Sequence, residues 1–340
     1  KLYELSQEGD VVSTYDLSSL ALGETGSLLF AASTDRTDDP ANMNLFMLAS
    51  GQPTASGGQI VELALDAPAA LPSGTPLVPA TLLRTVDMSN NAWSPSSPDP
   101  SGIDYWPHTG RFLISDSEVE EMPSYWAGAN VFDAETSGAL VSTCTTFTSN
   151  PVGTAWNNYA NEPTGVAINP ANNRIYISDD SGGGKLSEIH WGADGTFCTA
   201  DDGVTKINFS TDLEDVAYGN NRLFLAGGVD AEVWTWDLGP NGVLGGGDDG
   251  PVTHFDTASL GFSDLEGIGY NADAGTLFFV STNGGDKYLG ETTISGTLLR
   301  AYDLSFMAGG GNLRSDVTYE PGGANPAIKN IYIVSRGVDN

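Results

Sequence analysis

The large apolar residues of this chain fall into short runs that recur along its length. Each run has three to five consecutive large apolar side chains and is followed by a small or acidic residue. Runs of this kind indicate strands that are buried on both faces. The six copies read NLFMLA (44–49), RFLISD (111–116), RIYISD (174–179), RLFLAG (222–227), TLFFVS (276–281) and NIYIVS (330–335).

A second motif precedes each apolar run and adds another predicted strand to each repeat. Two further strand-like stretches follow each run, for example QIVELAL (59–65) with TLLRTVDM (81–88). Four strands in each of six repeats predict an all-β fold, a six-bladed β-propeller with four antiparallel strands per blade. The copies of the second motif read GSLLF (26–30), SGIDY (101–105), TGVAI (164–168), EDVAY (214–218), EGIGY (266–270) and SDVTY (315–319).

The two ends of the sequence have complementary patterns. Residues 1–18 resemble the third and fourth strands of a blade, whereas the chain ends just after a second strand. We therefore expect one domain, 1–340, with the last blade shared by 1–18 and 313–340, so that the N-terminal strands close the ring and remove its open edges. The alternative is that the split blade closes between neighbouring chains, which would assemble a polymer by strand exchange.

The charge of the chain is strongly negative and narrows the classes of partner. There are 13 Lys and Arg residues against 44 Asp and Glu residues, a net charge of −31. Such a surface repels nucleic acids and anionic lipids, and no apolar run is long enough for a membrane span. The acidic side chains either form the solvated shell of a secreted or cell-surface protein or bind divalent cations.

The two cysteines, Cys144 and Cys198, form either one disulfide or two buried thiols. A disulfide would suit an oxidising, extracellular compartment.

Acidic residues stand just before the second motif in five of the six repeats. In a propeller these positions converge on the mouth of the central channel, where carboxylates repel one another unless a cation lies among them. Oxygen ligands without His or Cys favour Ca²⁺, and the alternative is that these side chains cap turns. The predicted ligands are Glu24, Asp99, Glu162, Asp212 and Asp264.

Two outer hairpins carry a second acidic pattern. GADGTFCTADDG (192–203) and GPNGVLGGGDDG (239–250) share the same spacing of Gly, Asp or Asn, and a final Asp-Asp-Gly. Glycines that allow sharp turns can bring such side chains onto one calcium ion, and the alternative is a turn rich in Asx hydrogen bonds. The predicted ligands are Asp194, Asp201 and Asp202 in the first hairpin and Asn241, Asp248 and Asp249 in the second.

The repeated strand pairs and the turns DLED (212–215) and DLEG (264–267) resemble the superfamily of calcium-binding six-bladed propellers, and TDDPAN (37–42) is similar to a piece of the phytase motifs. That superfamily includes β-propeller phytases, their esterase-like relatives, and gluconolactonase and NHL-type propellers. The resemblance implies a calcium cofactor. It also makes a calcium-dependent hydrolase of a phosphate ester or lactone one candidate function, with Asp212, Glu214 or Glu266 as the base.

Aromatic and amide side chains in two early insertions suggest a ligand site, because aromatic faces stack on sugar rings. The alternative is that the aromatic residues fasten long loops to the blades. The candidate ligand-binding residues are Trp93, Trp126, Trp156, Asn157 and Tyr159.

The sequence thus favours a secreted, calcium-binding β-propeller that binds a glycan or cell-surface partner or builds a surface assembly. The calcium-dependent hydrolase is the alternative function.

Overall fold

The structure is a computed structural model and divides the chain into two compact units. Unit one comprises residues 1–34 and 40–66, and unit two comprises residues 35–39 and 67–340. No helix in the described part of the chain is long and apolar enough to cross a membrane. The described residues are 2–5, 11–15, 25–32, 43–49, 59–63, 71–89, 92–146, 159–181, 184–209, 212–228, 231–283, 287–307, 314–321 and 327–336.

The described residues of unit one form two antiparallel sheets. Strands β1 (Leu2–Leu5) and β2 (Val11–Tyr15) form a two-stranded sheet. Strands β3 (Thr25–Ala32), β4 (Met43–Ala49) and β5 (Gln59–Leu63) form a sheet in the order β3-β4-β5. The predicted first and second strands of the first repeat are therefore present.

Unit two is built from sheets in which consecutive strands of the chain are neighbours, because each short connection returns the chain antiparallel to its last strand. In its described residues, three sheets have four strands each, a fourth has four antiparallel strands plus β6 in parallel, and the last has two. Described 3₁₀ turns lie at Val119–Glu121, Ala258–Leu260 and Ser305–Met307.

The first half of unit two contains β6 (Leu77–Pro79), β7 (Pro100–Trp106), β8 (Arg111–Asp116), β9 (Val131–Glu135), β10 (Leu140–Cys144), β11 (Pro163–Asn169), β12 (Arg174–Asp179), β13 (Lys185–His190) and β14 (Gly203–Asn208). The second half contains β15 (Leu213–Gly219), β16 (Arg222–Gly227), β17 (Glu232–Asp237), β18 (Thr253–Asp256), β19 (Ser263–Asn271), β20 (Thr276–Asn283), β21 (Tyr288–Thr293), β22 (Leu298–Asp303), β23 (Arg314–Pro321) and β24 (Lys329–Ser335).

The hydrophobic cores of unit two lie between neighbouring sheets. On β12, Ile175 and Ile177 pack towards Leu113 and Val131 of the preceding sheet, while Tyr176 packs towards the following sheet. Successive side chains of a strand point to opposite faces, so a strand covered on both sides is apolar throughout. This confirms the interpretation of the apolar runs in unit two and gives the chain an all-β, propeller-like fold.

Where unit two is described, its inner strands form a closed ring of five. Strands β7, β11, β15, β19 and β23 contact one another in that order, and β23 also contacts β7. The backbone N–H of Ile103 on β7 donates to the Asp316 carboxylate on β23, with a distance of 2.5 Å between the nitrogen and Oδ2. The described residues of unit two therefore do not form the predicted six-bladed ring, because β23 contacts β7 directly and closes a ring of five inner strands.

Two predicted features of the blades have different outcomes. Residues 81–88, predicted as the fourth strand of the first blade, form no strand, and the Arg84 guanidinium donates to the Ser137 carbonyl at 3.1 Å. That segment therefore lies along the β9–β10 turn of unit two. The last blade, shared by 1–18 and 313–340 within a single domain, stays a prediction: β1 pairs with β2, and β23 pairs with β24.

Candidate metal centre

Three carboxylates meet where the second strand of one sheet ends and the inner strand of the next begins. Asp180 follows β12, Asp212 precedes β15, and Glu214 is the second residue of β15. One oxygen from each lies within 4.8 Å of the other two. The structure therefore groups Asp212, a predicted metal ligand, and Glu214, a candidate base, with Asp180, which the predicted ligand set did not contain.

Gly228, in the loop after β16, has no side chain and therefore leaves room for the carboxylates of Asp212 and Glu214. A Cβ atom at Gly228 would lie 3.0 Å from Oε1 of Glu214 and would collide with Oδ2 of Asp212. The N–H of Gly228 donates to the Asp212 carbonyl at 3.1 Å, and its own carbonyl accepts from Leu265 N–H at 3.3 Å. The loop after β16 is thus held against the triad by its backbone.

The three carboxylates of the triad lie close together and are partly or fully buried, and both conditions disfavour their ionised forms. Glu214 is buried, and its burial raises the pKa well above its usual value. The negative charges of Asp180, Glu266 and Asp212 raise that pKa further, whereas Arg336 opposes them. A bound cation would relieve the same repulsion.

A buried arginine lies among carboxylates from two other sheets. Nη2 of Arg336 is 2.9 Å from Oε2 of Glu266, and Nε is 3.5 Å from Oδ1 of Asp99. All three side chains are almost completely buried. Asp99, a predicted metal ligand, and Glu266, a candidate base, are therefore paired with a cation of the protein itself.

A further group of carboxylates ties the inner strands together. Oδ2 of Asp215 accepts the N–H of Ile268 on the next strand at 2.6 Å, and Oδ2 of Asp104 accepts the N–H of Ile168 at 2.7 Å. Burial raises the pKa of Asp215 to about 8 and that of Asp104 to about 7, although Asp104 keeps some exposed surface. Asp215 also hydrogen-bonds to the carboxyl of Asp316, whose pKa is raised well above its usual value by burial and by Asp215.

Within the described part of the chain, the triad does not include Glu162, Asp99 or Asp264, which were also predicted as mouth ligands. The N–H of Glu162 donates to the Asp179 carboxylate at 3.2 Å, and the N–H of Asp99 donates to Asp116 at 3.0 Å. Asp264 is buried and has a left-handed backbone with φ of 63°. Glu24 lies outside the described residues. The aspartates that end β8 and β12 thus cap the segments that lead into the inner strands.

The acidic side chains of the two outer hairpins accept hydrogen bonds from their own loops. Oδ2 of Asp201 accepts the N–H of Ala193 at 2.7 Å, and Oδ1 of Asp194 accepts the N–H of Thr196 at 2.8 Å. Asp202 also accepts the Tyr159 hydroxyl at 2.8 Å.

The second hairpin repeats this arrangement. Oδ2 of Asp248 accepts the N–H of Asn241 at 3.1 Å, and Oδ2 of Asp249 accepts the N–H of Gly245 and the indole N–H of Trp236. These bonds fit the Asx-turn interpretation of both hairpins. Calcium binding there stays a prediction.

Burial favours the fastening role for two of the candidate ligand-binding aromatics. Trp93 is 3% exposed, donates its indole N–H to the Gly138 carbonyl at 3.0 Å and packs on Phe132. Tyr159 has no exposed surface. Trp126 is half-buried, and Trp156 and Asn157 lie outside the described residues.

The two cysteines are paired. Cys144 at the end of β10 is bonded to Cys198 in the hairpin between β13 and β14, and their Cα atoms are 6.2 Å apart. This separation lies in the normal range for disulfides. Of the two alternatives from the sequence, the structure shows the bridge.

Comparison with known proteins finds similar solved structures but no matching protein family. No protein family and no curated protein matches the chain. The chain is similar to glutaminyl cyclase from Myxococcus xanthus, with 12% identity, a TM-score of 0.50, and coverage of 77% of this chain and 94% of that one.

Two other solved structures are similar at lower scores. They are a nidogen/laminin complex (11% identity, TM-score 0.43, 91% of this chain and 84% of that one) and hydrazine synthase from Kuenenia stuttgartiensis (12%, 0.38, 71% and 56%). At such identities likeness is informative about fold alone. Together with the sheet topology, the likeness to the cyclase supports a β-propeller fold for this chain.

Proposed function

We propose that this chain is a calcium-binding β-propeller that acts as an extracellular binding or assembly module. The observation that carries the proposal is the meeting of Asp180, Asp212 and Glu214, with one oxygen of each within 4.8 Å of the others. A disulfide between Cys144 and Cys198 is consistent with an extracellular protein.

The donor set of the triad fits calcium better than a transition metal. All three ligands are carboxylate oxygens, which suit hard cations, and calcium takes six to eight of them at about 2.3–2.6 Å. Two oxygens on opposite sides of such an ion are about 4.8 Å apart, so the observed grouping can enclose one. Backbone carbonyls and water would complete the coordination shell.

The charge balance also supports a cation. Glu214 is buried beside Asp180, Asp212 and Glu266, and Arg336 is the cation acting on it. Arg336 is itself shared with Asp99 and Glu266. A divalent ion would compensate the remaining charge, in place of protons on the carboxylates.

The second candidate is a calcium-dependent hydrolase of a phosphate ester or lactone. The buried Arg336 beside Glu266 favours it, because such a reaction needs a cation near the leaving group and a carboxylate base. In this arrangement Glu266 would take a proton from the attacking water. Calcium-dependent hydrolysis of a phosphate ester or lactone that is lost in Glu266→Gln would establish this function, and inactivity of the wild-type chain on both classes would remove it.

The primary proposal is tested by thermal denaturation with calcium and after chelation. A ligand at 100 times its Kd stabilises the folded state by about 2.7 kcal/mol, so calcium should raise the Tm of the wild-type chain and EDTA should reverse the shift. Asp212→Asn should greatly weaken the shift, because it removes one of the negative charges of the triad that would bind the ion.

Asp201→Asn is the matched control, since Asp201 belongs to the rival hairpin site. It should keep the full calcium shift. The proposed site would be contradicted if neither calcium nor EDTA changed the Tm of the wild-type chain. It would also be contradicted if the calcium shift were lost in Asp201→Asn and kept in Asp212→Asn.

A further inference from the structure

Two glutamates occupy the same position on neighbouring inner strands of unit two. Glu214 is the extra residue of the bulge at the start of β15, where the pairing with β16 shifts between Leu213 and Asp215. Glu266 is the extra residue of the corresponding bulge of β19. Strands β15 and β19 are in contact, and the negative charge of Glu266 acts on the carboxylate of Glu214. Glu266 is therefore a further negative charge beside the triad.

The positive charge of Arg336 opposes these carboxylates. Nη2 of Arg336 is 2.9 Å from Oε2 of Glu266, and the charge of Arg336 also acts on Glu214, where it favours the ionised form. A guanidinium and a divalent ion are alternative counterions for the same carboxylates, and they repel each other. Arg336 thus reduces the excess of negative charge that would attract a cation to the triad.

The position of Arg336 is fixed from both sides of its own sheet. Arg336 follows β24, Glu266 lies on β19 of the preceding sheet, and Asp99 leads into β7 of the next sheet round the ring. Nε of Arg336 is 3.5 Å from Oδ1 of Asp99. The side chains of Arg336, Asp99 and Glu266 are only 2%, 0% and 3% exposed. An arginine held in this way cannot move into solvent when a cation arrives, so its charge remains part of the field at the triad.

We infer that Arg336 sets the calcium affinity of the triad, because it is a fixed counterion that holds this affinity down. The inference rests on the calcium site of the proposed function and names the residue that tunes it. Calcium affinity depends on the number of charges around a site, and extracellular modules bind calcium with a Kd of about 10⁻⁴–10⁻³ M. With Arg336 in place, we expect the Kd of the triad to lie in this range.

Calorimetric titration of calcium into the full chain, after chelation has removed bound metal, measures the effect. The binding event of the triad is the one that weakens in Asp212→Asn. Arg336→Gln should lower the Kd of that event by about tenfold, because it removes one positive charge near the ion.

Arg222→Gln is the matched control, because it removes the same charge from another place. Arg222 begins β16, whereas the triad lies beside the loop that follows β16. Its guanidinium pairs with the carboxylate of Asp237 at 3.3 Å. Arg222→Gln should therefore keep the Kd of the wild-type chain.

Three further variants keep the test decisive if Arg336→Gln does not fold. Arg336→Lys keeps the charge and should bind calcium within about threefold of the wild-type Kd. Glu266→Gln removes a negative charge and should raise the Kd by about tenfold. Glu266→Gln combined with Arg336→Gln removes one charge of each sign and should return the Kd to near the wild-type value.

The inference would be overturned if folded Arg336→Gln bound calcium no more tightly than the wild type, or if Glu266→Gln bound it as tightly. Equal tightening in Arg336→Gln and Arg222→Gln would also overturn it, because the net charge of the chain would then set the affinity. A wild-type chain that binds no calcium would remove the proposed site itself, and this inference with it. A wild-type chain that binds calcium with the same Kd as Arg336→Gln would remove this inference alone.

Discussion

Asp215 and Asp316 hydrogen-bond to each other between the inner strands, and each also accepts the N–H of a neighbouring strand. Both carboxyls are almost completely buried. Two carboxylates in contact cannot both ionise without strong repulsion, so the folded chain retains a proton that the unfolded chain releases. The stability of this protein should therefore fall as the pH rises.

The sign and size of the effect follow from linkage. Burial raises the pKa of Asp215 to about 8 in the folded chain. A raised pKa contributes stability that is fully present below the ordinary value of the unfolded chain and is lost as the pH rises through the folded value. Between those limits each retained proton lowers the free energy of unfolding by about 1.4 kcal/mol per pH unit, or about 4 kcal/mol between pH 5 and pH 8.

Asp316→Asn isolates this contribution. The amide can donate to Asp215 in place of the shared proton, but it leaves one of the two N–H groups, of Ile103 or Val317, without its acceptor. The variant should be less stable than the wild type at pH 5 by about 1–3 kcal/mol. Its stability should fall less steeply with pH, by about 1.4 kcal/mol per unit, so the two curves should cross below pH 8.

The assay is urea denaturation followed by tryptophan fluorescence at pH 5, 6, 7 and 8 in EDTA, which prevents cations from compensating the charge. Asp303→Asn serves as control, because hydrogen bonds from Ser305 lower the pKa of Asp303 and it does not titrate in this range. Equal slopes for the wild type and Asp316→Asn, or a wild-type stability that rises with pH, would refute the reasoning.

Two other perturbations test the packing of unit two. Replacing Cys144 and Cys198 with serine opens a loop of 54 residues and should lower the free energy of unfolding by about 4 kcal/mol, measured by urea denaturation; an unchanged midpoint would contradict the bridge. A Cβ at Gly165 would collide with the Asp215 carboxylate, so Gly165→Ala should cost about 1–3 kcal/mol and reduce folded yield. Gly74→Ala, with φ of 88° and open space around it, should cost only about 1 kcal/mol of backbone strain, and equal losses for the two variants would count against close packing of the inner strands.

The strands of each sheet could be predicted from the sequence because their signals are local. RIYISD and RLFLAG became β12 and β16, with apolar side chains on both faces. Asp212 lies beside the loop after β16 for a similar reason, since antiparallel neighbours in one sheet bring the start of β15 and the end of β16 together. These predictions needed only strand order and alternation.

The closure of the ring could not be predicted in the same way. Five and six repeats carry the same local pattern, and which inner strands meet depends on the approach of β23 to β7 over more than 200 residues of chain. The sequence could not show that β23 would contact β7 directly. It also could not show that 81–88, similar in pattern to β22, would form no strand.

The roles of individual carboxylates also could not be predicted from the sequence. The bulge at the start of each inner strand places one extra residue opposite the second strand, which disrupts simple alternation. Asp215 therefore reaches a neighbouring strand, whereas Glu214 joins the triad, although the two are adjacent. Asp116 and Asp179 cap the preceding loops, a role that only their hydrogen-bond partners reveal.

The most direct test of calcium binding is anomalous diffraction from a crystal of the full chain grown with calcium. We predict a peak between Asp180, Asp212 and Glu214, with carboxylate oxygens at about 2.3–2.6 Å from it. A map with no peak at this position, or with calcium bound only in the two outer hairpins, would contradict calcium binding at the triad.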